Sequence, residues 1–228
     1  MGRPQLDEKT KRENIKKLIN CARSLMDERG IQNVTIRAIA DRAEMNSATM
    51  YNYFRDLDEL ITYACISYFQ EYCERLYAEN QYLSENEPEE VYLMTWDLFC
   101  QYAFIHPEEM YQLFFGKYSG ELKTVIRKYY QWFPEETENL SQNLQEMMED
   151  ADMFKRNIHV LRPILPEGTS EKDLKIVNEL TVSYLQMLLR ELSEDQRGRY
   201  TPEGQKQRMM EACVFLLDNI TESQNDEK

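Results

Sequence analysis

Apolar residues three and four positions apart recur along nearly the whole chain, and no stretch alternates in the manner of a strand. Ile15, Leu18, Ile19, Ala22, Leu25 and Met26 mark one face of a helix predicted from about Thr10 to Arg29. Gly30 follows in the position that favours a left-handed C-terminal cap. The same spacing predicts a long helix from Leu57 to about Glu79, with Leu60, Ile61, Ala64, Tyr68 and Tyr72 turned inward. Further helices are predicted near Pro88–Ile105, Pro107–Phe115, Tyr118–Phe133, Pro134–Met153, Glu171–Leu192 and Pro202–Ile220, several of them opened by proline at the first helical position. The segment RNIHVLRPILPEGTS, Arg156 to Ser170, contains two Pro and a Gly and reads as a loop, and the polar tail from about Thr221 should fray. Only 7 Gly and 7 Pro in 228 residues argue against a loop-rich β architecture. The expected fold is all-α.

Several function classes lose support at once. No run approaches the ~18 apolar residues of a membrane span. The start, MGRPQLDEKTKREN, lacks the apolar core of a signal peptide, so a cytoplasmic protein with no membrane partner is expected. Cys21, Cys65, Cys73, Cys100 and Cys213 are odd in number and form no CxxC pair, which points to reduced, buried thiols. His106 precedes Pro107 and fits a helix boundary better than a metal ligand, and the only other histidine is His159. Nucleophile–base arrangements, metal-ligand spacings and phosphate loops are absent. No enzymatic role, cofactor or metal is expected.

The stretch NVTIRAIADRAEMNSATMYNYFRDLDEL carries the functional signal. Thr35 can cap a short helix with Ile36, Ile39, Ala40 and Ala43 facing inward. Glu44–Asn46 makes a tight turn, Asn46 or Ser47 caps the next helix, and Asp56–Glu59 has capping-box spacing for the long helix that follows. Two short helices joined in this way on a first helix form a helix-turn-helix. Its second helix must keep one face in the core, here Met50 and Phe54, and lay the other in the major groove. Ser47 and Tyr51, and Ala48 and Asn52, are pairs four apart on that outer side. Small residues at Ser47 and Ala48 permit close approach, Tyr51 and Tyr53 offer hydroxyls to phosphate oxygens, and Asn52 can contact backbone or bases. Thr35 and the N-terminus of the recognition helix offer backbone N–H groups to phosphates.

Charge is distributed to match. The formal net charge is −14, yet residues 1–60 carry eleven Lys or Arg against ten Asp or Glu, a balance of +1, while the remainder carries −15. The N-terminal quarter alone is electrostatically fit to approach a polyanion.

GIQNVTIRAIADRAEMNSATMYNYFRDLDEL resembles the DNA-binding segment of the TetR family of transcriptional regulators. Gly30, Thr35, Ile39, Ala40, Ala43, Met45, Thr49, Met50, Tyr51, Tyr53, Phe54 and Leu60 match that family's pattern in place and type, over about residues 10–62. The resemblance implies contacts to a double-stranded DNA operator from Thr35, Arg37, Ser47, Ala48, Thr49, Tyr51, Asn52 and Tyr53. For Arg37 a solvated charge and a DNA contact are equally open, and Arg3 is a weak candidate for a minor-groove arm. Two positions depart from the family. Its turn glycine is Glu44, which should strain or reshape the turn. Its lysine at the start of the fourth helix is Leu57, which removes a phosphate contact that Arg55 is placed to replace.

The resemblance also implies a C-terminal region that senses a ligand and forms a homodimer. Residues 91–133 hold thirteen of the chain's 26 aromatic residues, a composition suited to a pocket for a small apolar or aromatic ligand and equally to a plain core. Trp96, Cys100, Tyr111, Phe115 and Tyr118 are the ligand candidates. Val177, Thr181, Tyr184 and Leu188 on one helix, with Met209, Cys213 and Leu217 on the last, are the dimer candidates, forming a four-helix seam between two chains or closing the core of one. The expected organisation is a helix-turn-helix domain over residues 1–56, a helical ligand-binding and dimerisation domain over 57–221, and a frayed tail over 222–228. A ligand-responsive repressor of a palindromic operator is one outcome. A fold of the same kind that binds another protein, as adaptor or coactivator, is the other.

Overall fold

The computed structural model describes residues 7–83, 87–138, 140–195 and 197–222; Arg3 and the tail beyond Glu222 lie outside them. The described residues contain helices and turns but no strand. Helix α1 (Glu8–Arg29) begins two residues before the expected start, because the Asp7 carboxylate accepts the Thr10 N–H at 2.8 Å. It ends at Gly30, whose N–H reaches Met26 O at 2.8 Å. Gly30 has φ 77° and ψ 154°, so it occupies an extended positive-φ region open to glycine and not the left-handed helical cap expected. A 3₁₀ turn (Ile31–Asn33) leads to α2 (Ile36–Arg42), capped by Thr35, and then to α3 (Ser47–Met50), capped by Asn46. The six apolar residues predicted for the inner face of α1 are all buried, as are Ile39, Ala40, Ala43, Met50 and Phe54. Each large one contributes roughly 1.5–3 kcal/mol by burial.

Helix α4 (Leu57–Leu83) runs four residues further than predicted. At its start the Asp56 carboxylate accepts the Glu59 N–H at 3.0 Å, and the Glu59 carboxylate accepts the Arg55 N–H at 2.6 Å, one residue earlier than in a standard capping box. Leu60, Ile61, Ala64 and Tyr72 are buried; Tyr68 is only half-buried and donates its hydroxyl to Asp27 at 2.6 Å. Phe54 packs on Tyr63 of α4 (5.8 Å between centroids) and on Trp132 (6.4 Å), which fastens the end of the helix-turn-helix to the body.

The body continues as α5 (Pro88–Ala103), α6 (Pro107–Phe115), α7 (Leu122–Trp132), α8 (Gln142–Glu149), α9 (Met153–Leu161), α10 (Glu171–Ser193) and α11 (Pro202–Glu222). Helix α4 packs on α1, α6, α7 and α8, α10 on α6, α9 and α11, and α11 on α5. Three expectations change. The Tyr118–Phe133 helix starts only at Leu122, after a 3₁₀ turn over Ser119–Glu121. The single helix expected from Pro134 to Met153 is a 3₁₀ turn followed by α8 and the start of α9, because Ser141 and Asp152 each cap a new start by accepting the N–H of Leu144 and of Lys155. The expected loop from Arg156 is helical to Leu161: Met153, Asn157 and Leu161, four apart, are buried together, and Pro163 and Pro166 act only beyond them. No helix among the described residues is long and apolar enough to cross a membrane.

Candidate nucleic-acid interface and ligand cavity

Helix α2 packs on α1, and the short α3 packs on α2. Thr35, Arg37, Ala48, Tyr51 and Asn52 are exposed, Tyr51 at 59 % of its surface, and Ser47, Thr49 and Tyr53 are half-buried. The turn keeps its shape despite Glu44. That residue takes φ 54°, the one positive φ outside glycine among the described residues, and Met45 N–H still reaches Ala40 O at 2.9 Å. The backbone N–H groups expected to serve phosphates are partly committed. Asn46 holds the Ala48 N–H at 2.8 Å, and Thr35 holds that of Ala38 at 3.2 Å. The Tyr53 hydroxyl accepts from Asn14 Nδ2 at 2.9 Å, tying the end of the recognition helix to α1 while keeping its own proton to donate. Arg37 forms a loose pair with Asp41 at 3.9 Å, both exposed.

Arg55, expected to replace the missing lysine, is engaged within the protein. Its guanidinium binds both oxygens of Glu121, pairs with Glu59 at 3.1 Å, and lies 4.2 Å from the centroid of the Tyr118 ring. Next to it, Asp56 accepts from Lys117 Nζ at 2.6 Å and from the Tyr118 hydroxyl at 2.7 Å. Partial burial pushes the Asp56 carboxyl up, but the bonds from Lys117, the Glu59 amide and Tyr118 outweigh it and hold the group at about 2. These contacts join the end of the helix-turn-helix to the α6–α7 connection. Two more cross the same boundary: Glu108 of α6 accepts from Ile31 N (3.1 Å) and Gln32 Nε2 (3.0 Å), and Arg23 of α1 donates to the Tyr129 hydroxyl of α7 (2.7 Å).

The ligand candidates scatter. Only Trp96 lines the aromatic cavity, a space of about 250 Å³ between α4, α5, α8 and α9 walled by Tyr72, Leu76, Val91, Phe99, Met147 and Met153, with Arg156 and Asn157 among its polar groups. Cys100 is buried in the core, and Tyr118 belongs to the junction. Tyr111 meets the Phe115 ring at a tilt, 5.7 Å between centroids, and lines a separate, more polar cleft with Asp58, Glu108, Gln112 and Arg190. Sequence reasoning missed Arg156 because its segment read as loop. The available signal was the four-residue spacing of Met153, Asn157 and Leu161 behind the capping Asp152.

The dimer candidates also divide. Thr181, Leu188, Met209, Cys213 and Leu217 are buried within the single chain, so that stripe closes its own core, and Val177 and Tyr184 lie at the edge. The outward apolar side chains are Ile176, Leu180 and Met187 of α10 and Val214 and Phe215 of α11, with Leu180 61 % and Phe215 65 % exposed. Spacings of four and seven put Ile176, Leu180 and Met187 on one face. Four of the five cysteines are buried and the fifth, Cys21, is half-buried; all are free thiols. No group of three or more potential metal ligands occurs among the described residues.

An exposed helix-turn-helix on a larger helical body with a cavity is the architecture of the DNA-binding transcription regulators. Residues 18–64 match the family model of the bacterial regulatory proteins, tetR family. Solved structures share the fold over most of the chain. RolR in complex with resorcinol aligns at 19 % identity over 91 % of this chain and 89 % of its own, with a TM-score of 0.55. FadR of Thermus thermophilus, a TetR-family transcriptional repressor in complex with lauroyl-CoA, aligns at 15 % identity over 89 % and 92 %, also at 0.55. A putative TetR-family transcriptional regulator from Syntrophomonas wolfei aligns at 16 % identity over 90 % and 95 %, at 0.51. By sequence, no curated protein matches the chain.

Proposed function

We propose that this protein is a ligand-responsive, homodimeric repressor that binds a palindromic operator in the cytoplasm and catalyses no reaction. The observation that carries the reading is the recognition helix, which buries Met50 and Phe54 and leaves Ala48, Tyr51 and Asn52 free to meet a groove. The exposed apolar face of α10 and α11 fits a second copy, and two copies present two recognition helices to half-sites about 34 Å apart. The division between reading and sensing units falls at Asp56 and Leu57.

The cavity suits a ring-sized ligand, since a void of roughly 150 Å³ already admits benzene. Its 250 Å³ is closer to the resorcinol held by RolR than to the lauroyl-CoA held by FadR. Helix α4 supplies the coupling. Tyr72 and Leu76 form one wall of the cavity, and the same helix begins at the Asp56 junction, roughly 22 Å away at 1.5 Å per residue. A ligand that displaces Tyr72 tilts the helix and shifts the spacing of the recognition helices.

The adaptor reading draws on one observation. Leu57 is apolar and Arg55 is engaged by Glu121, so the start of α4 lacks the family's cation for phosphate. One experiment separates the two readings: binding to a labelled fragment of the protein's own upstream DNA, in salt steps with competitor, beside Tyr51→Ala. The repressor reading expects specific binding that survives physiological salt and that the variant loses. Affinity equal to that for random DNA would sink it in favour of a protein partner.

A further inference from the structure

Resting on the ligand-sensing reading, we infer that the cavity selects a small aromatic anion and that Arg156 holds its charge. Arg156 Nη1 donates to two main-chain carbonyls at the end of α8, Met147 O at 2.9 Å and Asp150 O at 3.1 Å. Its guanidinium carbon lies 5.4 Å from the Phe69 ring centroid and 5.6 Å from that of Tyr72. These contacts orient the group and cover part of it with neutral carbonyls and rings, and the Asp150 carboxylate acts on it through space. Asp150 supplies the one carboxylate of the cavity lining, and that carboxylate faces His159, 3.8 Å from Nε2, at the exposed rim. The Tyr72 hydroxyl and Cys73 thiol beside the guanidinium are neutral, since burial pushes both up. A guanidinium partly withdrawn from water, whose one nearby carboxylate is shared with His159, has charge left to offer, and its planar fork matches a carboxylate through two parallel bonds.

The other inner polar groups ask for nothing. Trp96 Nε1 donates to Asn157 Oδ1 at 3.1 Å, Asn157 Nδ2 to Asn178 Oδ1 at 2.9 Å, and Asn178 Nδ2 to Phe154 O at 3.0 Å. A carboxylate gains a charge-assisted bond from Arg156 that a neutral phenol does not. The ring has its own seat, because Phe99 meets Tyr72 and Trp96 edge-on, at 5.1 Å and 6.0 Å, leaving aromatic faces along the wall. A volume of about 250 Å³ is enough for one ring with a short acidic group.

The test uses the full chain and three probes: benzoate, its neutral isostere benzamide, and phenol. Binding is followed by calorimetry and by the fluorescence of Trp96 in a Trp132→Phe background. Benzoate should bind at least ~10-fold more tightly than benzamide. Arg156→Met should erase that preference, and Arg156→Lys, which keeps the charge but loses the fork, should retain part of it. If Arg156→Met fails to fold, the benzoate-to-benzamide ratio of the wild type and the lysine variant decide alone. Benzamide or phenol binding as tightly as benzoate overturns the anion assignment and leaves the ligand-sensing reading standing, as does benzoate binding undiminished in a folded Arg156→Met. Failure of all three probes to bind overturns the anion assignment, while the ligand-sensing reading is decided separately by the operator-binding experiment.

Discussion

Arg55, at the end of the helix-turn-helix, and Glu121, before α7, meet fork to fork, with Nη1–Oε1 at 3.0 Å and Nη2–Oε2 at 3.1 Å. Hydrogen bonding from Arg55 lowers the Glu121 carboxyl. Both side chains are about half-exposed, so the pair adds little to global stability. Its effect lies in geometry, because it fixes how the recognition helix leaves the body. Glu121→Gln should leave the urea midpoint nearly unchanged yet weaken operator binding several-fold. Equal affinities for variant and wild type in a gel-shift titration would show that the pair plays no part in aiming the helix.

Glu44 occupies a backbone position built for glycine, at φ 54°. A left-handed non-glycine residue costs about 1–2 kcal/mol, partly offset by the lower chain entropy of glutamate when unfolded. Its ion pair with Lys17, 3.7 Å long and exposed, adds little. Glu44→Gly should therefore stabilise the protein by about 0.5–1 kcal/mol in chemical denaturation. A loss of stability would mean that Glu44 makes a contact worth more than its strain.

The two stripes on α10 and α11 are separable by experiment. Leu180→Glu or Phe215→Glu, on the outward face, should convert the dimer to monomer in sedimentation at micromolar concentration and leave helicity intact. Leu188→Ala, inward, should instead cost about 2–5 kcal/mol of stability. A dimer that survives both outward substitutions would place the seam elsewhere.

Asp56 gives a pH signature. Its folded carboxyl sits at about 2, below the ordinary 3.8, so its contribution is complete above pH 4 and is lost as pH falls through 2. Asp56→Asn should lower the urea midpoint at pH 7, and the gap to wild type should narrow between pH 4 and pH 2. A gap constant across that window would show that the Lys117 and Tyr118 bonds do not depend on the charge.

Thiol chemistry should single out Cys21. Burial raises Cys65, Cys73, Cys100 and Cys213, with Cys73 and Cys213 pushed up to about 12, and encloses them in the core. Burial also raises Cys21, but that thiol is half-buried and reachable. An aromatic disulfide reagent at pH 8 should modify Cys21 first and reach the other four only in denaturant. Rapid reaction of all five in the native protein would contradict the packing of α4, α5 and α11.

Much of this architecture was legible because helical periodicity records burial directly. The inner faces of α1, α3 and most of α4 were readable residue by residue, since Leu18, Met50 or Leu60 has no polar alternative role. The region after Pro134 was less readable, because Ser141 and Asp152 look like ordinary helix-surface residues until each is seen accepting a backbone N–H. The stripe on α10 misled for a different reason. Helices buried on one side and apolar on the other carry two hydrophobic faces, and spacing alone cannot say which belongs to the chain's own core. Arg55 read as a free cation because its partner, Glu121, lies 66 residues away. Arg156 was hidden by the prolines that follow it, although they act only after its helix has ended.

The −15 carried beyond residue 60 acts on the search for a site as well as on the bound state. In an operator-binding protein, a net-negative body would give random sequence a poor hold, so encounters would be brief unless the N-terminal segment arrived first. Under the regulator reading, such a protein would forgo long sliding excursions along DNA and spend little time trapped on the excess of irrelevant sequence. A modest absolute affinity can then coexist with high occupancy of one operator, because selectivity is gained by lowering the competition.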